Sequence, residues 1–299
     1  MHAVSIHRLT ALLAFATLSL LLISGFMVSE SSGLPVPGWA QGGQMAHRGA
    51  AGIVALGAIV LLFASWRFRP VSWLKKVAVF VVAIVLAQAG IGMGLARLGA
   101  FAPVSVLQAM LMHGLVALVV VLFLGSSKAF AEPVERVPDE LSPPLRSIAW
   151  WPVAVVVLQI LLGSAYRHGL MGVIPHLSGA FIASGALAFL AILVATTYPK
   201  HRPLKRVAFI VVWFSAVQIV LGLIALFYRA QAGGAAAGEG LAPWWVLFTV
   251  GHVVLGSLTL AATIWMAVQI RKYVLPGEPE PAGSLRRSST AAELETKLS

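Results

Sequence analysis

The chain has 299 residues, of which 59% are hydrophobic and only 10% are charged. Together with a mean hydropathy of +0.92, this composition excludes an ordinary soluble domain, in which about a quarter of the residues are charged. The formal net charge of +11 is spread over several segments rather than gathered in one patch, so we expect no nucleic-acid partner. The chain has no cysteine, which excludes disulfides, thiolate metal sites and cysteine nucleophiles.

Eight apolar runs are long enough to cross a bilayer as α-helices, which takes about 20 residues each. The first run follows His7 and Arg8 as in a secretory signal, but it is long and lacks a clear small-residue cleavage motif, so we keep it as a mature helix. The sequence therefore predicts an all-α membrane protein with eight transmembrane helices, at about 8–28, 45–66, 73–96, 104–125, 147–166, 173–197, 205–228 and 243–270.

A short pattern repeats along these runs. Each odd-numbered run carries a glycine near its end, in three cases with a glutamine four residues earlier, and the run that follows contains one histidine in its outer part. This symmetry predicts two pseudo-repeated four-helix bundles, as in other membrane proteins built from internal repeats. The elements are Gly25, Gln88 with Gly92, Gln159 with Gly163, and Gln218 with Gly222, followed in turn by His47, His113, His176 and His252.

Composition divides the chain into four parts. We predict an N-terminal four-helix half at 1–128, a Pro-rich and charged cytoplasmic linker at 129–146, a C-terminal four-helix half at 147–275 and a disordered tail at 276–299. Glycine, proline and serine at 30–44 predict the first outer loop.

Lysine and arginine are distributed unevenly between the two sides of the predicted bundle. Of the 21 such residues, 17 fall on one side, which by the positive-inside rule is cytoplasmic. Both termini and the linker are therefore expected in the cytoplasm, with the protein in a bacterial-type cytoplasmic membrane. The basic excess also suits contact with anionic membrane lipid. The four residues on the outer side are Arg48, Arg97, Arg167 and Arg229.

The four histidines of the pattern all fall in the outer half of the bilayer. Ionisable side chains are costly there and usually face a bundle interior or a cavity. In pairs, His47 with His113 and His176 with His252, they can bind a haem iron from both sides or leave one position open for chemistry. Zinc is the weaker alternative, because neither pair has a third or fourth ligand of the usual kind. A single histidine could instead form a hydrogen bond between helices.

The outer arginines suit haem propionates, because a guanidinium binds a carboxylate through two charge-assisted hydrogen bonds. Snorkelling to lipid headgroups is the alternative for any one of them. Glycines beside the histidines, such as Gly49 and Gly114, allow either close helix packing or the approach of a flat macrocycle to the backbone.

Several short motifs follow one another in a fixed order along the eight runs. The motifs are the pair His47 and Arg48, His113, the G-x-x-Y-R-H element at 163–168, His176, His252 and the GLPVPGW stretch at 33–39. Together they resemble the haem A synthase family over all eight runs. The resemblance implies oxidation of the ring methyl of haem O to the formyl group of haem A, for assembly of a haem-copper oxidase, with haem O synthase and an oxidase subunit as the implied protein partners.

The resemblance also implies roles for individual residues. His47 and His113 map to the substrate haem in the N-terminal half, and His176 and His252 to a b-type haem in the C-terminal half. The family usually has a glutamate three residues before the histidine of the second run, where this chain has Gln44. An amide forms hydrogen bonds but cannot take a proton, so the catalytic group of His47, His113 and Gln44 is expected to have altered activity.

Two other functions fit the same residues. A non-catalytic diheme b-type cytochrome would pass electrons between a quinol and a partner, and the missing glutamate favours it. A haem-binding oxidase assembly factor would bind haem without changing it. The cysteine pair found in the outer loops of many bacterial family members is also absent. A transporter is disfavoured, because the runs lack paired intramembrane carboxylates.

Overall fold

The computed structural model describes residues 2–31, 39–68, 72–99, 101–232 and 243–276. These residues form ten α-helices and a single isolated β-bridge. The helices are α1 (His2–Ser31), α2 (Trp39–Phe68), α3 (Ser72–Leu98), α4 (Ala102–Gly125), α5 (Lys128–Ala131), α6 (Leu145–Ile148), α7 (Trp151–Arg167), α8 (Val173–Thr197), α9 (Arg202–Ala232) and α10 (Pro243–Tyr273).

Eight spans in the described part of the chain are long and apolar enough to cross a membrane, which confirms the predicted all-α, multi-pass architecture. They correspond to α1 to α4 and α7 to α10, with the single turn α6 joined to α7. The predicted run at 173–197 coincides with α8, and most of the other helices extend a few residues beyond their apolar runs.

The predicted first outer loop at 30–44 is wrong at both of its ends. Helix α1 continues to Ser31 and α2 begins at Trp39, so Gln44 lies inside a helix, one turn before His47. The rest of that loop, at 32–38, lies outside the described residues. The predicted disordered tail also lies outside them from residue 277 onward.

The spanning helices pack as two rings of four. In the first ring each of α1, α2, α3 and α4 contacts the next, and α4 returns to α1. In the second ring α7, α8, α9 and α10 make the same sequence of contacts. The rings meet through α10, which packs on α4 and α1, and through contacts of α4 with α7. Whether the two rings superpose as true repeats stays a prediction.

Each ring encloses its own apolar core, and large apolar side chains also cover the outside of the bundle. Leu61 and Leu115 are buried in the first core, and Leu190 and Met266 in the second. Phenylalanines such as Phe181, which is 78% exposed, point outwards. An outer surface this apolar is suited to lipid, in which helices associate by close packing and hydrogen bonds rather than by the hydrophobic effect.

The linker at 129–146 packs against the C-terminal end of α10. Val137 forms the isolated bridge with Val274, in which the Val137 N–H donates to the Tyr273 carbonyl at 2.8 Å. The Tyr198 hydroxyl donates to the Pro138 carbonyl at 3.2 Å. Burial raises the pKa of Tyr198 to about 12, with a smaller effect of Asp139 and Glu140, so this donor keeps its proton at neutral pH.

The charge distribution predicts which side of the membrane the linker occupies. A reporter that is active only in the cytoplasm, fused within 129–146, should be active, because 17 of the 21 lysines and arginines lie on that side. The matched control is the same reporter inserted after Gly169, between α7 and α8, which should be inactive. The reverse pattern would contradict both this topology and the outer placement of the four histidines.

Candidate functional site

His176 and His252 come together across the second ring. His176 lies in the first turn of α8 and His252 in the third turn of α10, at opposite corners of that ring. Their ring centroids are 6.1 Å apart, and the ring planes are perpendicular. Both side chains are half-buried. The predicted C-terminal pair is therefore adjacent in space although the two residues come from different helix pairs.

Each of these imidazoles lies directly over a glycine of the preceding helix. A Cβ atom added to Gly163 would be 2.8 Å from His176 Cε1, and one added to Gly222 would be 2.7 Å from His252 Cε1. In both cases the Cε1 edge is nearest and Nδ1 is next. The repeated glycine thus has a physical reason, since any side chain at these two positions would displace a histidine.

The glutamines of the repeated pattern support the same two histidines. The Gln159 Nε2 group donates to the His176 carbonyl at 2.9 Å and lies 3.0 Å from His176 Nδ1. His252 Nδ1 lies 3.0 Å from the main-chain carbonyl of Gln218, to which it can only donate. A proton held on Nδ1 leaves the Nε2 lone pair of His252 as an acceptor, and the Gln218 Nε2 group lies 3.4 Å from it, where it can donate to that lone pair.

The same glutamines also pack against glycines that follow the histidines. Gln159 Oε1 lies against Gly179, and a Cβ on Gly256 would be 3.1 Å from Gln218 Nε2. In each helix pair, then, a glutamine fits over one glycine and a histidine over the other. The Oε1 atoms of both glutamines are buried without a hydrogen-bond partner, so each retains an unused acceptor beside a histidine.

Two of the four predicted arginines lie at the same end of the second ring. The Tyr166 ring is parallel to the His176 ring, at 6.3 Å, and the Arg229 guanidinium lies 4.8 Å from the centroid of Tyr166. Arg167 follows Tyr166 and donates from Nη2 to the Gly25 carbonyl of α1 at 3.2 Å. Arg48 on α2 and Arg97 near the end of α3 are exposed and are not brought to this cluster.

The N-terminal pair is arranged differently. His47 is half-buried, with Nδ1 at 3.1 Å from Ser24 Oγ on α1, while the Gln44 side chain is exposed. His113 is buried, and its Nδ1 lies 2.5 Å from Ser257 Oγ on α10, in the other half. Among the described residues, ring contacts join His176 to His252 but do not join His47 to His113.

In the pair formed by α3 and α4, the side chain that faces the glycine of the preceding helix is a glutamine, Gln108, and not a histidine. A Cβ on Gly92 would be 3.4 Å from Gln108 Nε2, and Gln88 Nε2 donates to the Gln108 carbonyl at 3.2 Å. The latter contact matches that of Gln159 with the His176 carbonyl. His113 lies five residues further along α4, more than one turn deeper. The sequence held a signal for this difference, because Gln108 is closer to the loop than His113 and so is level with Gly92.

The spacing of the C-terminal pair is compatible with two ligands on one metal ion. Imidazole nitrogens bind metal ions at about 2.0 to 2.1 Å, so two on one iron are about 4 Å apart and their ring centroids roughly 6 Å apart. The observed centroid distance is 6.1 Å. No group of three or more His, Asp or Glu side chains suited to a metal ion occurs in the described part of the chain. Beside the N-terminal histidines, a Cβ on Gly49 or Gly114 would meet nothing within 4 Å, which leaves space there.

The contact between glycine and imidazole can be tested by adding one methyl group. If this pair binds the b-type haem that the family resemblance implies, Gly222→Ala or Gly163→Ala should displace His252 or His176 and remove most of the low-spin b-type absorbance in a reduced-minus-oxidised spectrum, because a ligand of the iron is then lost. The control is Gly185→Ala on α8, where a Cβ meets nothing within 4 Å and alanine favours the helix. A wild-type spectrum in both test variants would contradict this geometry.

Comparison with known proteins identifies one family. Residues 38–175 match the model of the COX15-CtaA family, described as cytochrome oxidase assembly protein. The matched range includes His47, His113 and Arg167 and ends one residue before His176. No curated protein matches the chain. Residues 38–175, just under half of the chain, match this family model, and the match together with the motifs in that range supports membership of the COX15-CtaA family of cytochrome oxidase assembly proteins.

Proposed function

We propose that the protein is a haem A synthase that oxidises the ring methyl of haem O to the formyl group of haem A. The family has a role in cytochrome oxidase assembly. In this proposal the protein contributes to that assembly by making haem A. The observation that carries the proposal is the pair His176 and His252, held 6.1 Å apart over two glycines in a multi-pass membrane protein of this family.

In this proposal the C-terminal half holds a b-type haem. His176 and His252 are its axial ligands, and Arg167 and Arg229, at the outer end of the same half, bind its propionates. When bound, such a haem supplies one-electron redox chemistry. The Tyr166 ring lies parallel to the His176 ring, with the ring centroids 6.3 Å apart.

The N-terminal half binds haem O in the same proposal. His47 and His113 are the candidate iron ligands, and the open space beside Gly49 and Gly114 admits the macrocycle. In this proposal, oxidation of the methyl to the formyl group takes one oxygen atom from water and releases four electrons and four protons. The electrons pass to an external electron acceptor, and the outer end of α2 accepts protons. The Gln44 amide can hydrogen-bond an oxygen of the reacting group but cannot accept a proton. We therefore expect slow turnover, with the hydroxymethyl intermediate accumulating.

A second function has one observation in its favour. The exposed Gln44 stands where the family usually has a proton-accepting glutamate, which suits a diheme b-type cytochrome that transfers electrons without modifying haem. A haem-binding oxidase assembly factor would share the same residues. Extraction of the haems from the purified protein and their identification by mass distinguishes these functions. The cytochrome yields haem b alone, whereas the synthase also yields haem O, haem A or the hydroxylated intermediate.

The axial role of the C-terminal pair predicts a spectral change. His176→Ala and His252→Ala should each lose most of the low-spin b-type absorbance, because the iron becomes five-coordinate or the haem is lost. The control is His201→Ala, which removes a histidine at the inner end of α9, where its ring contacts Tyr273 at 4.5 Å. If all three variants keep the wild-type spectrum, the C-terminal site does not exist.

The identity of residue 44 predicts a change in product. When the protein is coexpressed with haem O synthase, Gln44→Glu should raise the yield of haem A, because a general base typically contributes about 10²- to 10⁴-fold. Gln44→Met, which neither hydrogen-bonds through an amide nor accepts a proton, is the matched control and should not raise it. The measurement is the ratio of extracted haem A to haem O.

Two results would change the assignment in different ways. Unmodified haem O from both wild type and Gln44→Glu, with b-type haem present in each, would favour the electron-transfer cytochrome. Efficient haem A formation by the wild type would keep the enzyme and show that position 44 needs no carboxylate.

A further inference from the structure

The two N-terminal histidines share a hydrogen-bonding arrangement that the C-terminal pair lacks. Nδ1 of His47 lies 3.1 Å from Ser24 Oγ, and Nδ1 of His113 lies 2.5 Å from Ser257 Oγ. In the C-terminal pair the corresponding nitrogen atoms meet glutamine groups instead. Two serines from different helices thus occupy the same chemical position relative to the two candidate ligands of the substrate.

Each serine hydroxyl also lies near a main-chain carbonyl of its own helix. The Ser24 hydroxyl donates to the Leu20 carbonyl at 2.7 Å, and the Ser257 hydroxyl lies 3.4 Å from the Val253 carbonyl. Because a hydroxyl has one hydrogen, Ser24, which donates it to this short contact, accepts the N–H of His47, whereas the longer Ser257 contact does not by itself fix the direction at His113. An imidazole that donates its Nδ1–H to the serine oxygen presents Nε2 as a free lone pair, which is the tautomer that binds a metal.

Ser257 differs from the two threonines that follow it on α10 in a way that points to His113. Thr259 and Thr263 donate to the carbonyl four residues earlier at 2.8 and 2.7 Å, the usual geometry of a hydroxyl on a helix. The corresponding Ser257 bond is longer, at 3.4 Å, while its oxygen lies 2.5 Å from the imidazole. The Ser257 oxygen is thus closer to the histidine than to its own helix.

The burial of this contact makes it hard to replace. His113 is 8% exposed and Ser257 is fully buried, so water has little access to satisfy Nδ1 if the hydroxyl is removed. Ser257 also belongs to α10, which carries His252 five residues earlier. The orientation of a histidine in the N-terminal half therefore depends on a residue of the C-terminal half.

We propose that Ser24 and Ser257 are positioning residues that hold His47 and His113 in the tautomer able to bind the iron of the haem substrate. The inference rests on the proposed function, since it concerns the substrate side of that site. Neither serine touches the substrate, and each acts through its histidine. Hydrogen-bond partners of this kind typically change metal affinity or activity by about 10- to 100-fold.

The test is the binding of haem O to purified protein that already carries b-type haem. Titration is followed by the low-spin absorbance and electron paramagnetic resonance signal of the second haem. Ser24→Ala and Ser257→Ala should each weaken haem O binding by about 10- to 100-fold and leave the b-type spectrum unchanged. Ser24→Thr and Ser257→Thr keep the hydroxyl and should restore binding to within a few-fold of wild type.

The control and reference variants make the outcome specific. Ser215→Ala removes a buried serine of the same half that bonds Ser184 at 3.2 Å, away from the histidines, and should bind haem O as the wild type does. His113→Ala measures complete loss of the ligand. The double variant Ser257→Ala with His113→Ala should bind no more weakly than His113→Ala alone, because the serine acts only through the histidine.

Three results would overturn the inference. Wild-type binding by both alanine variants, with weak binding by His113→Ala, would remove the role of the serines and leave the proposed function intact. Loss of b-type haem in Ser257→Ala would assign that serine to His252 instead. Wild-type haem O binding by both His47→Ala and His113→Ala, or no binding by the wild type, would remove the substrate site and the inference with it.

Discussion

The arrangement of the outer ends depends on how closely an imidazole can approach the backbone of the neighbouring helix. His176 and His252 lie where a Cβ on Gly163 or Gly222 would be less than 3 Å from ring carbon. Within a bilayer the hydrophobic effect does not hold helices together, so such close packing and the hydrogen bonds beside it determine their register. The glutamines make the fit reciprocal, since each lies against a glycine of the histidine-bearing helix. The pair is thereby held in place by main-chain positions rather than by flexible side chains.

This constraint separates the two halves chemically. The C-terminal histidines have a glycine on one side and an amide on the other, which leaves little freedom to move and suits a permanently bound group. The N-terminal histidines are supported by single hydroxyl groups, and a Cβ on the nearby Gly49 or Gly114 would meet nothing within 4 Å. Open space beside a positioned ligand suits a molecule that must enter and leave. The two histidine pairs thus differ in how closely the surrounding residues contact them, which is the difference that the proposed function requires between a resident haem and a haem substrate.

Much of this architecture could be predicted from the sequence, because apolar length alone determines which segments can span a membrane. The run at 173–197 coincides with α8, and the repeated glutamine and glycine proved to be in contact with His176 and His252. The helix ends were less predictable, since α2 includes Gly42 and Gln44, where composition favoured a loop. Which side chain faces Gly92 could not be predicted either. The residue that faces Gly92 is determined by its distance from the turn between α3 and α4. This distance places Gln108, and not His113, at the same depth as Gly92.

The distribution of carboxylates shows why residue 44 matters to the chemistry. Of the ten acidic residues, only Glu30 and Glu239 fall on the outer side in the predicted topology. The linker carboxylates, such as Asp139, are next to Tyr198 at the opposite end of the bundle. With Gln44 unable to accept a proton, the nearest basic atom on α2 is Nε2 of His47. That nitrogen has one lone pair, so it can bind iron or accept a proton but cannot do both at once. If His47 is a ligand of the substrate iron, a proton released at this end of α2 must be accepted by water or by a residue of another segment. This competition for one lone pair is the physical reason to expect slow turnover.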